Sequence, residues 1–140
     1  MDNYEALKDF MTNAGLHFSE GTLENGDKVF RIPQKIKNGG IVDVVLIFAE
    51  SNIKLVVFGI ATVEEEEKKP AYYKLFNELA AKYGFFKFYV RPNGDITLEG
   101  DIILGIVEGE FKPKALMGFM AAAITLLQDN YRDIMKIQWS

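Results

Sequence analysis

Residues 41–62, IVDVVLIFAESNIKLVVFGIAT, carry apolar side chains at nearly every position rather than at every second one. The segment is rich in Val, Ile and Phe, which favour strands, and Ser51-Asn52 is a turn signal in its middle. The reading is an antiparallel hairpin with Ser51-Asn52 as a two-residue loop. Phe48 then faces Leu55, Leu46 faces Val57 and Val44 faces Gly59. The opposite face carries Val45, Ile47, Val56, Phe58 and Ile60. An antiparallel sheet with one wet face alternates apolar and polar residues. This hairpin is apolar on both faces, so its second face requires a cover: another helix, or another chain.

A chain of 140 residues has the size of one domain, and the reading is a single domain over 1–140. At that length about two-thirds of the unfolded surface can be buried, so a core without covalent staples is feasible. With 49% hydrophobic and 26% charged residues the composition is globular. Cysteine is absent, which removes disulfides, thiolate catalysis and cysteine-based zinc sites, and fits a reducing compartment. The net charge of −4 argues against nucleic acid as a partner, since its phosphates call for a basic surface. The start, MDNYEALKDF, is amphipathic and acidic, unlike a signal peptide. The longest uncharged stretch, Ala115–Gln128, has 14 residues, too few to cross a bilayer. The expectation is a soluble cytoplasmic protein with no nucleic-acid and no membrane partner.

Around the apolar hairpin the periodicity is mixed. Asp2 and Glu5 form a capping-box pattern, and Tyr4, Leu7, Phe10, Met11 and Ala14 recur at helical spacing before Gly15. Leu16–Leu23 and Lys28–Ile36 read as strands joined at Asn25-Gly26, with Pro33 marking the second as an edge or bulged strand. Asn38-Gly39-Gly40 is the next turn signal. The run VEEEEKKP (63–70) reads as a solvated linker, with Pro70 opening a helix whose apolar stripe includes Tyr72, Leu75, Phe76 and Leu79. A last helix runs from about Pro113 to Tyr131, apolar all round at 115–127 and therefore expected to be buried all round. Gly118 and Ala121–Ala123 would let another backbone come close. The tail 135–139 reads equally as extended chain or as more helix. Asn25-Gly26-Asp27 is echoed by Asn93-Gly94-Asp95, each after a helix, a Gly and a strand.

Between the second and third helices lies KFYVRPNGDITLEGDI (87–102), with Asp95, Glu99 and Asp101 close together, in a hairpin read as Phe85–Leu104. Directly opposed residues share a sheet face, so side-chain chemistry selects the register. A two-residue Asn93-Gly94 loop would set Phe88 against Glu99. A three-residue Pro92-Asn93-Gly94 loop sets Val90 against Ile96 and Phe88 against Leu98, and Phe86 against Gly100, which leaves room for a ring. Pro suits the first turn position and Gly the left-handed third. This register predicts cross-strand pairs Arg91–Asp95 and Lys87–Glu99 on the wet face and leaves Asp101 without a cation.

No catalytic, metal or cofactor-binding residue is assigned. His17 is the only histidine, and zinc would need carboxylates for its other ligands. No nucleophile elbow, phosphate loop or EF-hand spacing is present; GDIILGIVEG is too apolar and wrongly spaced for a phosphate loop.

The stretch FNELAAKYGFFKFYVRPNGDITLEGDI (76–102) resembles the YbjN-like family, described as bacterial sensory-transduction regulators. Asn77, Lys87, Phe88, Gly94, Asp95 and Glu99 carry the match. The resemblance implies an α+β fold like that of type III secretion chaperones: helices on one side of a curved antiparallel sheet, commonly dimeric, with no catalytic residues. The expected order is α-β-β-β(-β)-α-β-β-α. The expected function is a non-catalytic interaction or regulatory domain, chaperone-like and homodimeric, with no cofactor and with a further protein partner left unnamed. Its candidate partner surface is Val45, Ile47, Val56, Phe58, Ile60, Met117 and Met120. Two alternatives stand beside it: a small-ligand sensor, with aromatic and Met-rich helix faces lining a pocket, and a metal-dependent hydrolase using Asp95, Glu99 and Asp101 with His17.

Overall fold

The computed structural model describes residues 2–37, 39–103 and 112–140. Asn38 of the Asn38-Gly39-Gly40 turn, Leu104 at the end of the second hairpin, and most of GDIILGIVEG lie outside the described residues.

Helix α1 spans Asn3–Asn13, and the Asp2 carboxylate accepts from the Glu5 N–H at 2.8 Å, the capping expected from the spacing. Four strands follow: β1 (Ser19–Thr22), β2 (Lys28–Lys35), β3 (Ile41–Phe48) and β4 (Asn52–Thr62). The acidic linker forms a short 3-10 turn, Glu66–Lys68, leading into α2 (Lys69–Lys82) with Pro70 in its first turn. Strands β5 (Phe86–Val90) and β6 (Asp95–Ile103) precede α3 (Pro113–Gln138). The six strands form one antiparallel sheet in the order β1-β2-β3-β4-β6-β5. The fold class is α+β, as the sequence predicts. Pro33 sits where β1 has ended, so that part of β2 has a free edge and needs no N–H there.

All three helices pack on one face. Leu7 and Met11 of α1, Phe76 of α2 and Leu116 and Leu127 of α3 share a core with Phe30, Leu46, Leu55 and Leu98 of the sheet. Near α1 the core is aromatic. The Phe30 ring stacks on Tyr4 at 4.2 Å and meets Phe18 and Phe48 edge-on.

Three expectations are corrected. First, the β3–β4 register is shifted by two: Phe48 faces Ile53, Leu46 faces Leu55 and Val44 faces Val57. The turn closes between the Ala49 N–H and the Asn52 carbonyl, with Glu50 and Ser51 exposed at its tip. This places Ile53 against Phe48 in the core rather than at a turn beside Glu50. A shift of two keeps the paired side chains from Asp43 to Phe58 on their predicted faces. Second, Ile60 does not share a face with Val56 and Phe58. Gly59 has φ +80, and the β4–β6 ladder breaks between Val57 and Ala61. The bulge turns Ile60 into the core. Third, α3 is not buried all round. Leu116, Met120, Ala123 and Leu127 face inward, while Ala115, Gly118, Ala121, Ala122 and Thr125 are exposed. Small residues count as apolar in a sequence, yet they offer little area whose burial would repay packing.

The tail resolves as helix. The Tyr72 hydroxyl donates to the Ile134 carbonyl at 3.0 Å, the Lys68 ammonium donates to the Gln138 carbonyl at 2.7 Å, and the Gln138 amide donates to the Thr62 carbonyl at 2.9 Å. These bonds hold the last turn of α3 against α2 and the end of β4.

Candidate functional site

With every helix on one side, the other face of the sheet has no helix over it among the described residues. Its rows follow from the strand pairing. Arg31, Val45, Val56, Glu99 and Lys87 lie side by side across β2, β3, β4, β6 and β5. Ile47, Lys54 and Asp101 form the neighbouring row. Val45 and Val56 are buried, whereas Ile47 and Phe58 are half-buried, and none of the four joins the helix-side core. The apolar second face read from the hairpin is therefore present. Of the seven residues expected on a partner surface, four lie here. Ile60 and Met120 are in the core, and Met117 is half-buried against it.

An open depression of about 520 Å³ lies on this face, lined by Ile47, Lys54, Val56, Phe58, Lys87, Tyr89, Arg91 and Glu99. Its polar centre is Glu99, which is only 8% exposed. One carboxylate oxygen accepts from the Lys54 ammonium at 2.9 Å and the other from the Tyr89 hydroxyl at 2.7 Å. The second-hairpin register is the one predicted, including Phe86 opposite Gly100, where any Cβ would stand 2.7 Å from the Phe86 ring. The predicted ion pairs are nevertheless absent. Lys87 stands opposite Glu99 on β5, but β4 flanks β6 on its other side and supplies Lys54 instead. The Asp95 carboxylate accepts from the Thr62 hydroxyl at 2.9 Å and from the Asn93 amide at 3.1 Å, not from the Arg91 side chain. Asp101, unassigned in the sequence, accepts from the Asn52 amide at 2.8 Å. A hairpin considered alone cannot reveal Lys54, Thr62 or Asn52 as partners, because they come from a strand more than thirty residues away.

Arg91 is used differently. Its Nε donates to the Thr97 hydroxyl at 3.0 Å, and its guanidinium lies 4.9 Å from the Phe58 ring centroid and 5.5 Å from that of Tyr89. The Lys87 ammonium lies 5.7 Å from the Tyr89 ring. Among the described residues neither Arg91 nor Lys87 has a carboxylate oxygen within 4.0 Å.

Burial pushes the Glu99 carboxyl pKa up, but the hydrogen bonds from Tyr89 and Lys54, with the charges of Lys54 and Lys87, outweigh it and hold the pKa below its ordinary value of 4.5. The Lys54 ammonium is held above its ordinary value, mainly by the bond to Glu99. Burial, then the bond to Glu99, raises the Tyr89 hydroxyl. A carboxyl whose folded pKa is depressed stabilises the fold above its unfolded pKa and loses that contribution as the pH falls through the folded one. Wild-type protein is therefore expected to lose stability below pH 4.5. The Glu99→Gln variant, followed by urea denaturation across the same range, should show a shallower loss. Equal slopes would mean that the Glu99 pKa does not differ between the folded and unfolded states.

The carboxylates do not assemble with the histidine. His17 is exposed and precedes β1, while Asp95, Glu99 and Asp101 are on β6, four strand positions away, or about 19 Å. Among the described residues there is no group of three or more His, Cys, Asp or Glu side chains able to hold a metal ion. A second, smaller depression of about 210 Å³ lies between Lys37 and the end of α3, beside the exposed Trp139. Among the described residues no helix is long and apolar enough to cross a membrane.

Comparison with solved structures finds the crystal structure of YbjN from E. coli, described as "a putative transcription regulator". The two are 11% identical, with a TM-score of 0.67 over 94% of this chain and 93% of that one. At that identity the likeness shows the fold alone. Comparison with curated proteins finds no match. The family described as "Putative bacterial sensory transduction regulator" matches residues 3–135. That match spans both ends of the fold and the hairpin that lines the depression, and the chain belongs to the YbjN family.

Proposed function

We propose that the chain is a non-catalytic, protein-binding regulatory domain of the cytoplasm that works through the uncovered face of its sheet. The observation that carries this reading is the cluster of Ile47, Val56, Phe58 and Tyr89 on a face that no described helix covers. Apolar and aromatic residues gathered on one surface, rimmed by charge, suit a protein partner. The family description as a regulator supports the absence of a reaction, and the carboxylates of β6 are engaged in hydrogen bonds and an ion pair that position side chains. Chaperone-like binding of a partner segment belongs to the same reading.

Self-association is a second reading, favoured by a different surface. Ala115, Gly118, Ala122 and Thr125 line the exposed side of α3, where a Cβ on Gly118 would meet nothing within 4 Å. A second copy of the helix could approach closely there, in a two-fold dimer. One experiment addresses both readings: purification from its own cells followed by sedimentation at micromolar concentration. Wild type is expected to carry a partner that Phe58→Ser loses, and to sediment as a dimer that Gly118→Leu converts to a monomer. Recovery of a bare wild-type monomer would remove both readings.

A further inference from the structure

The charges around the depression indicate what kind of chain segment it takes. Glu99 is satisfied on both oxygens, by Lys54 and by Tyr89. That leaves Lys87 and Arg91 as two cations without a carboxylate among the described residues. They stand over an aromatic and aliphatic floor in a protein whose net charge is −4. We propose, building on the reading of this face as a docking surface, that its occupant is an acidic segment of a partner protein. An Asp or Glu side chain would pair with Arg91 and Lys87 while a large apolar side chain packs on Ile47, Val56 and Phe58.

Arg91 is built for this. A guanidinium presents a planar fork that matches a carboxylate with two parallel hydrogen bonds. Here the Thr97 hydroxyl holds Nε, and the Phe58 and Tyr89 rings hold the plane. The side chain is half-buried and positioned before any partner arrives, so little rotamer freedom remains to be lost on binding. Lys87, exposed beside it, adds a flexible second charge. The spacing follows from the sheet. From Lys87 on β5 to Ile47 on β3 is three strand positions, about 14 Å, which an extended segment crosses in about four residues. The acidic and apolar anchors should therefore lie about four residues apart.

A second copy of the chain fits the face less well. Two-fold packing of this depression on itself would set a lining with three cations, Lys54, Lys87 and Arg91, and one carboxylate, Glu99, already engaged on both oxygens, against the same set, an excess of like charge. The exposed acidic run Glu64–Glu67 is partly engaged within its own chain, Glu65 with Lys68 at 3.5 Å and Glu66 with Lys69 at 2.8 Å, and is to that extent a poorer occupant.

The test is selection of a random dodecapeptide display library on the immobilised full-length chain, with Phe58→Ser as the counter-selection. Phe58-dependent peptides are expected to share an Asp or Glu and a large apolar residue about four positions apart. A synthetic peptide of that consensus should bind about tenfold more weakly to Arg91→Gln, the effect of losing one charge-assisted contact, and more weakly as salt rises. Lys87→Gln, at an exposed position, gives the same direction of effect if Arg91→Gln is poorly folded. Phe58-dependent peptides that are neutral or basic, or equal binding to both charge variants, would overturn the acidic assignment and leave the docking surface standing. Failure to select any Phe58-dependent peptide would overturn both. Wild-type self-association that Phe58→Ser abolishes would overturn it in favour of a second copy.

Discussion

Phe30→Ala is expected to cost about 3–5 kcal/mol of folding stability, the range for removing a fully buried ring from a core that cannot collapse around the gap. Phe30 is completely buried on β2, opposite Leu46. Its ring is the centre of an aromatic group: Tyr4 stacks on it at 4.2 Å, and Phe18 and Phe48 meet it edge-on at 5.4 and 5.7 Å. Such pairs add about 0.5–1.5 kcal/mol each beyond area burial. Tyr4 belongs to α1, and its hydroxyl donates to Glu20 on β1 at 2.6 Å. Loss of the Phe30 ring therefore loosens the docking of α1 and the short edge strand together. A fall of roughly 10–20 °C in melting temperature should accompany the loss. Phe30→Leu, which refills most of the volume, should cost less than half as much. Urea denaturation of the two variants checks both figures, and a Phe30→Ala cost below about 1 kcal/mol would contradict the packing described.

The second large effect is expected at Gly94, and a matched control lies in the same chain. Gly26 and Gly94 occupy the same place in two Asn-Gly-Asp turns. In each turn the Asn side chain accepts from the Asp N–H two residues on at 3.0 Å. Their φ angles are +93 and +94. An alanine at either position meets the backbone strain of a left-handed conformation, about 1–2 kcal/mol. The surroundings differ. Around Gly26 a Cβ would meet nothing within 4 Å, whereas at Gly94 it would stand 2.5 Å from the Val63 carbonyl oxygen. That oxygen cannot rotate away as a side chain can, because the Val63 N–H is bonded to the Gly94 carbonyl at 2.8 Å. Gly94→Ala should therefore cost about 1–3 kcal/mol more than Gly26→Ala. Equal costs in paired denaturation curves would show that the close approach of Val63 is unimportant.

The same pair of turns marks how far the sequence could be followed. The echo of Asn25-Gly26-Asp27 in Asn93-Gly94-Asp95 is real at the level of turn chemistry. The structure adds that each turn belongs to a helix-and-hairpin unit at one edge of the sheet, α1-β1-β2 and α2-β5-β6. The β5–β6 register was legible because one face is buried, so a one-residue slip would have moved Glu99 into the core. The face assignments of Val45, Ile47, Val56 and Phe58 were legible for the same reason, even though the turn itself is displaced by one residue. Ile60 was not, because Gly59 can adopt a bulge whose presence depends on how β4 fits β6. The exposed side of α3 was not either, because Ala and Gly are scored as apolar while having little surface to bury.

Partners of charged groups were the least legible feature. Glu99 was matched to Lys87 because the two face each other within one hairpin. The contact that forms is with Lys54, 45 positions earlier in the chain. The identity of the strand beside β6 cannot be read from alternation, turn residues or composition, since these act over a few residues only. Side-chain periodicity and turn chemistry determined the elements, the α+β class and the sheet face of most strand residues. Strand order, set when β4 and β6 pair across more than thirty residues of intervening chain, decided which carboxylate is satisfied, which cations among the described residues remain without one, and hence where the proposed docking surface lies.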